Sequence, residues 1–160
     1  MAQSTYVPPK GLECADLTAR KVHQYAIVAL SVVGLLAGGV AGTAFVALAG
    51  AVMLAGRFWG PADVFRQFVW RVAEPRGWLT PNMAPEEEGT RRVARILGGV
   101  GLLAGAAALY AGSLALALVI TLALCAMIAL DATVNFCALC FVNFQARRLR
   151  YTFSSHRPAA

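Results

Sequence analysis

Between Ala26 and Gly56, and again over Leu114–Leu130, the chain carries no charged side chain, and Val93–Ser113 is nearly as bare. Runs of this kind cannot be the inner stripes of soluble helices, which need polar residues every third or fourth position to face water. With 59% hydrophobic and 14% charged residues among 160, the chain reads as one compact polytopic membrane domain. Met1 to Arg20 is polar and holds Pro8, Pro9, Glu13 and Asp16, so no removable signal peptide is expected.

The first apolar run is too long for one untilted helix at about 1.5 Å per residue, and Gly38-Gly39 interrupts it near the middle. Two helices joined by a tight glycine turn are therefore expected, over residues 18–37 and 40–57. Trp59-Gly60-Pro61 marks an interface and a new start. Val64, Phe65, Phe68, Val69 and Val72 then share one helical face, with Arg66, Gln67 and Arg71 elsewhere, which predicts a short amphipathic interfacial helix over 61–73. Residues 74–84 read as a loop because of Pro75, Gly77 and Pro81. Pro85 followed by Glu86, Glu87 and Glu88 reads as a helix opening, with acids at the positive dipole end. Two further helices, over 92–111 and 113–142, make a second hairpin.

The expected fold is thus all-α, with four transmembrane helices in two hairpins occupying residues 18–150, between a segment 1–17 and a tail 151–160. Gly101 and Gly105, like Gly34 and Gly38, have the spacing that lets helices approach closely, within one chain or between copies. All 14 Lys and Arg residues lie in or beside the N-terminal segment, the central connector or the C-terminal tail, and neither hairpin tip is charged. With four spans these basic segments share one side, and the positive-inside rule makes it the cytoplasmic side of the inner membrane, with both termini there. The net charge of +6 is then explained by topology and anionic headgroups, and a nucleic-acid partner is not expected.

The chemistry-bearing motif is Cys137-Ala-Leu-Cys140, where the last apolar run gives way to Arg147, Arg148 and Arg150. Such a dithiol can exchange electrons through a mixed disulfide, hold a soft metal as thiolates, or carry sulfur as a persulfide. At the cytoplasmic side a permanent disulfide is not expected. If the last helix continues to the arginines, the thiols stand at its C-terminal end, where the dipole disfavours thiolate; a break near Cys137 would remove that penalty. On a continuous helix Asp131 and Asn135 share a face turned away from both cysteines, so Asp131 is a poor direct base for them, though a polar intramembrane pair in its own right. Cys125 reads as a small packing residue. His23, beside Lys21 and Gln24, reads as an interfacial polar residue, and His156 belongs to the tail. Cys14, Cys137, Cys140 and His23 would make a soft-metal set only if the N-terminal segment folds back, and their spacing matches no zinc finger or ribbon. No phosphate-binding loop, nucleophile elbow or HExxH motif is present, and no cofactor is expected beyond that alternative soft metal ion.

Asp16, Ala19-Arg20-Lys21-Val22-His23-Gln24, the arginine-bearing connector, Arg92-Val-Ala-Arg-Ile-Leu-Gly and Asn135-Phe-Cys-Ala-Leu-Cys together resemble a bacterial four-span membrane family known as domain of unknown function 4395. The resemblance covers nearly the whole chain. Leu139 stands where that family usually has glycine, and Thr90-Arg91-Arg92-Val93-Ala94 replaces a Pro-Arg-Phe-Ala-like stretch. What the resemblance implies is an association with thiol and sulfur metabolism, including thioredoxin-like and rhodanese-like partners. The leading expectation is thiol-disulfide or sulfur handling through Cys137 and Cys140. The alternatives are a transporter or binding protein for a thiophilic ion or sulfur compound, and a non-catalytic subunit of a homo-oligomer or larger membrane complex.

Overall fold

The computed structural model describes residues 13–86, 88–135, 137, 141, 142 and 145, without the side chains at 13, 85, 86, 88 and 90. In chain order it has strand β1 (Glu13–Asp16), helices α1 (Leu17–Ala37) and α2 (Gly39–Phe58), a 3-10 turn at Gly60–Ala62, short helix α3 (Val64–Phe68) running on as a π turn (Val69–Ala73), strand β2 (Met83–Glu86), and helices α4 (Glu88–Tyr110) and α5 (Leu114–Val134).

Local chemistry sets each boundary. Asp16 caps α1, its carboxylate accepting from the backbone N–H groups of Thr18 at 2.9 Å and Ala19 at 3.3 Å. Gly38 and Gly39 separate α1 from α2 at φ +60° and +54°, a backbone region in which a side chain is strained. Asp63 caps α3, accepting from Arg66 N. Asn135 ends α5 by taking a left-handed conformation, φ 55°.

The four long helices close into an antiparallel ring in which α1 meets α2, α2 meets α4, α4 meets α5 and α5 meets α1. Ile27, Val46, Ala49, Met53, Leu102, Ala106 and Ile128 form the core along its axis. Glycine makes the contacts close: a Cβ on Gly50 would lie 2.9 Å from the Gly99 carbonyl oxygen, and one on Gly34 2.9 Å from that of Gly42. Gly101 and Gly105 likewise face Leu124 and Thr121 of α5. The described glycines of these stripes are therefore used within the chain, and Gly38 serves the turn.

Three helices, Gly39–Phe58, Arg91–Tyr110 and Leu114–Val134, are long and apolar enough to cross a membrane. On α5 only Ala117, Thr121, Cys125, Ile128 and Ala132 are buried, one narrow stripe of a helix that is apolar all round. Its remaining surface suits lipid rather than water. α1 is as long as α5, 21 residues, but Arg20, Lys21, His23 and Gln24 fill its first turns and lower its hydropathy.

Two expectations are corrected. Pro85 and Glu86 do not open a helix; they belong to β2, which pairs antiparallel with β1 in the register Glu13↔Glu86, Cys14↔Pro85, Ala15↔Ala84 and Asp16↔Met83. Each strand of a two-stranded ribbon is an edge strand, the sheet position in which proline is tolerated. The last long helix does not run on to residue 142 but ends at Val134, because Asn135 turns the backbone away.

Candidate functional site

The antiparallel ring brings the start of α1, the end of α2, the start of α4 and the end of α5 to one end of the bundle, where α3 and the β-ribbon cross it. The polar residues of the apolar helices are concentrated here. Asp63 is 2% exposed and sits between two partners on different helices. His23 Nδ1 of α1 is 2.7 Å from Asp63 Oδ1, and Arg95 Nη2 of α4 donates to Oδ2 at 2.6 Å. Gly56 admits the aspartate, since a Cβ there would lie 2.8 Å from Asp63 Cβ.

Burial pushes the Asp63 carboxyl up, but the hydrogen bonds and charges of His23 and Arg95 outweigh it and hold the group below its ordinary 3.8. An ionised carboxylate only accepts hydrogen bonds, which assigns the proton between Asp63 and His23 to Nδ1. His23 is 4% exposed, and its other nitrogen, Nε2, has no hydrogen-bond partner.

Asp16 does more than cap α1. It accepts from Trp70 Nε1 at 3.2 Å and from the Asn82 backbone N–H at 3.3 Å, joining the connector and the approach to β2 to the helix start. Burial and the adjoining Asp16 carboxylate push Glu74 up. Asp131 accepts from Gln24 Nε2 of α1 and from Arg91 Nη1 of α4 at 3.4 Å. Asn135 Oδ1 accepts from Arg20 Nη2 at 3.1 Å. Asp131 and Asn135 thus tie α5 to its neighbours, as a polar pair in an apolar bundle must.

Beside this network lies a cavity of about 770 Å³. Arg20, Arg57, Arg66, Arg91, Arg92 and Arg95 line it, together with His23 and Cys137, and it reaches down to Met53, Leu97, Leu124, Met127 and Ile128. Trp70 also lines it, with the Arg66 guanidinium 5.3 Å from its ring centroid.

Cys137 is half-buried, carries a disulfide, and lies beyond the end of α5 rather than in its last turn. Phe141 N–H donates to the Cys137 carbonyl at 3.0 Å, the spacing of a helical turn, and Phe141 and Val142 are helical. Cys137 is therefore not part of one continuous helix with Asp131, and the wheel that turned it away from Asp131 loses its premise. Sequence reasoning argued against a permanent disulfide; the structure contains the oxidised form at Cys137. Cys140 lies outside the described residues, as do Arg147, Arg148, Arg150 and His156. Neither Cys14 nor Cys125 is in a disulfide; the first is exposed on β1 and lines the cavity, the second is buried in the bundle. Cys14, Cys137 and His23 border one cavity, yet among the described residues no three His, Cys, Asp or Glu side chains gather closely enough to hold a metal ion.

Asp63, the centre of this network, was not singled out by the sequence. Its local signal was available, an aspartate before a short amphipathic helix in the position of an N-cap. Its bonds to His23 and Arg95 have no counterpart in spacing, being 40 and 32 residues away.

A family model described as "Domain of unknown function (DUF4395)" matches residues 16–148, and the chain belongs to that family. No curated protein and no solved structure matches it.

Proposed function

We propose that this member of the family is a four-span inner-membrane protein, with both termini cytoplasmic, that handles thiols or sulfur through Cys137 and Cys140. The observation that carries the reading is the oxidised Cys137 on the wall of a basic cavity, outside the helix that leads to it. A thiolate of an incoming dithiol protein attacks one sulfur of the bond, and the other leaves as a thiolate. The partner's second thiolate then attacks the mixed disulfide. The partner departs oxidised and the membrane dithiol is left reduced, so two electrons have moved and no other reagent is needed.

Two observations support the topology. α1 lies antiparallel to both α2 and α5, with Gly34 against Gly42 near one end and Arg20 against Asn135 at the other, which supports its crossing beside them. At about 1.5 Å per residue, a helix of its length spans roughly 30 Å of hydrocarbon. The arginines gather at one end of the bundle, which the positive-inside rule assigns to the cytoplasm.

The test is alkylation with a membrane-impermeant maleimide in intact cells and in permeabilised membranes, before and after mild reduction. Reduction should expose Cys137 and Cys140 to labelling together, in permeabilised membranes alone. Labelling from outside intact cells would overturn the orientation, and labelling indifferent to reduction would overturn the redox pair. Unchanged function in Cys137→Ser and Cys140→Ser chains would favour the role of a non-catalytic subunit.

A further inference from the structure

Basic side chains outnumber acidic ones in the described lining of the cavity. Six arginines line it against the acids Asp16, Glu74 and Asp131, and Asp63 stands behind His23. Asp131 is engaged by Arg91 and Gln24, and Asp16 by the start of α1 and Trp70. Among the described residues neither Arg57 nor Arg66 has a salt bridge, and the Nε of each is buried with no acceptor. Burial and the neighbouring Arg95 pull Arg66 down by more than Asp63 and Asp16 raise it. His23, almost fully buried on the same wall, adds a polar atom without a partner at Nε2.

The other half of the cavity is apolar, with Met53, Leu124 and Met127 contributing to its deeper part. A small hydrated anion gains nothing from such a floor, whereas a volume of about 770 Å³ falls in the range of sites that enclose organic ligands.

We propose that the cavity binds an amphiphilic anion, its acidic group held by Arg57 and Arg66 near His23 and its apolar body laid on Met53, Leu124 and Met127. A carboxylate or phosphate headgroup matches the planar donor fork of arginine. Such a ligand has two sources, an acidic lipid of the bilayer or a soluble organic acid. The site stands on the cavity's charge and shape, independently of the thiol chemistry at Cys137.

Trp70 provides the readout. The exposed Trp59 and Trp78 are replaced by Phe in the full-length chain, purified in an uncharged maltoside detergent, so that fluorescence reports the ring under Arg66. Dioctanoyl phosphatidylglycerol, octanoate, dioctanoyl phosphatidylcholine, octanol and inorganic phosphate are titrated separately. Saturable binding of phosphatidylglycerol or octanoate at least tenfold tighter than of the three others is expected. Preference for phosphatidylglycerol identifies the lipid source, and preference for octanoate the soluble one. Arg66→Gln and Arg57→Gln should each weaken binding at least tenfold, and the second keeps the test valid if the first fails to fold. Equal binding of octanol or phosphatidylcholine overturns the proposal, as does equal binding of phosphate, an absence of saturation, or indifference to both arginine variants. Repeating the titration with Cys137→Ser separates the result from the thiol reading: retained binding upholds an independent site, and lost binding overturns it.

Discussion

The two ends of the bundle are built from opposite materials. At the turn end, α1 passes to α2 through Gly38 and Gly39 and α4 passes to α5 through Ala111 and Gly112, with no charge and with Leu36, Val40 and Tyr110 largely exposed. At the other end, Asp63, His23 and Arg95 are locked together beneath a ring of arginines. Close glycine contacts and apolar side chains are enough to hold the turn end. The buried charges opposite are thus not required for helices to pack, and desolvating them is costly. Two of the three, His23 and Arg95, also line the cavity.

The contrast breaks most sharply at Asp63. Asp63→Ala leaves His23 and Arg95 facing an empty, buried site and should cost about 3 to 5 kcal/mol, read as a fall in the thermal unfolding midpoint in detergent. The sign of the pH dependence follows from the direction of the shift. Asp63 is held below 3.8 in the folded chain, so its contribution is complete above that value and is lost as pH falls through the lower folded pKa. An Asp63→Asn chain should have a flatter acid limb, and an unchanged limb would show that the carboxylate is not the group responsible. The turn end should respond to bulk instead. Gly42→Val drives a side chain into the Gly34 backbone and should cost about 1 to 3 kcal/mol, with little effect on the pH profile. If Gly42→Val matched Asp63→Ala at every pH, the two ends would not differ in kind. A smaller loss, about 1 kcal/mol, is expected for Asp16→Ala from the missing helix cap. Leu36→Ala, on an outward face at 82% exposure, should fall within about 0.5 kcal/mol of the parent.

Much of this was legible from residue order. The apolar runs, the Gly38-Gly39 break and the amphipathic connector follow from hydropathy and backbone freedom, which are local properties. What escaped was long-range or conformationally ambiguous. Glu13-Cys-Ala-Asp has no alternating pattern, and it becomes a strand because residues 83–86 lie beside it. Ala-Leu-Asp-Ala-Thr-Val offers no glycine or proline to end α5, and the end depends on Asn135 accepting both a left-handed backbone and the Arg20 side chain. His23 looked like an ordinary interfacial residue until Asp63 was brought against it. The cysteine pair was legible as a motif, but its relation to the helix was not, because everything about its dipole and facing turned on where α5 stopped.

The β-ribbon also sets an order of assembly. β1 is the first described element to leave the ribosome, yet its partner ends at Glu86, after the first hairpin and the connector have been made. Until then Asp16 lacks the Asn82 N–H, and Arg91 and Arg95 have not yet been synthesised. Until the second hairpin is made, Asp63 therefore has His23 but not the Arg95 guanidinium that later holds its Oδ2. The cavity comes into being late, when α4 and α5 supply their share of its wall, and a chain stalled before residue 95 would leave the buried Asp63 carboxylate one guanidinium short.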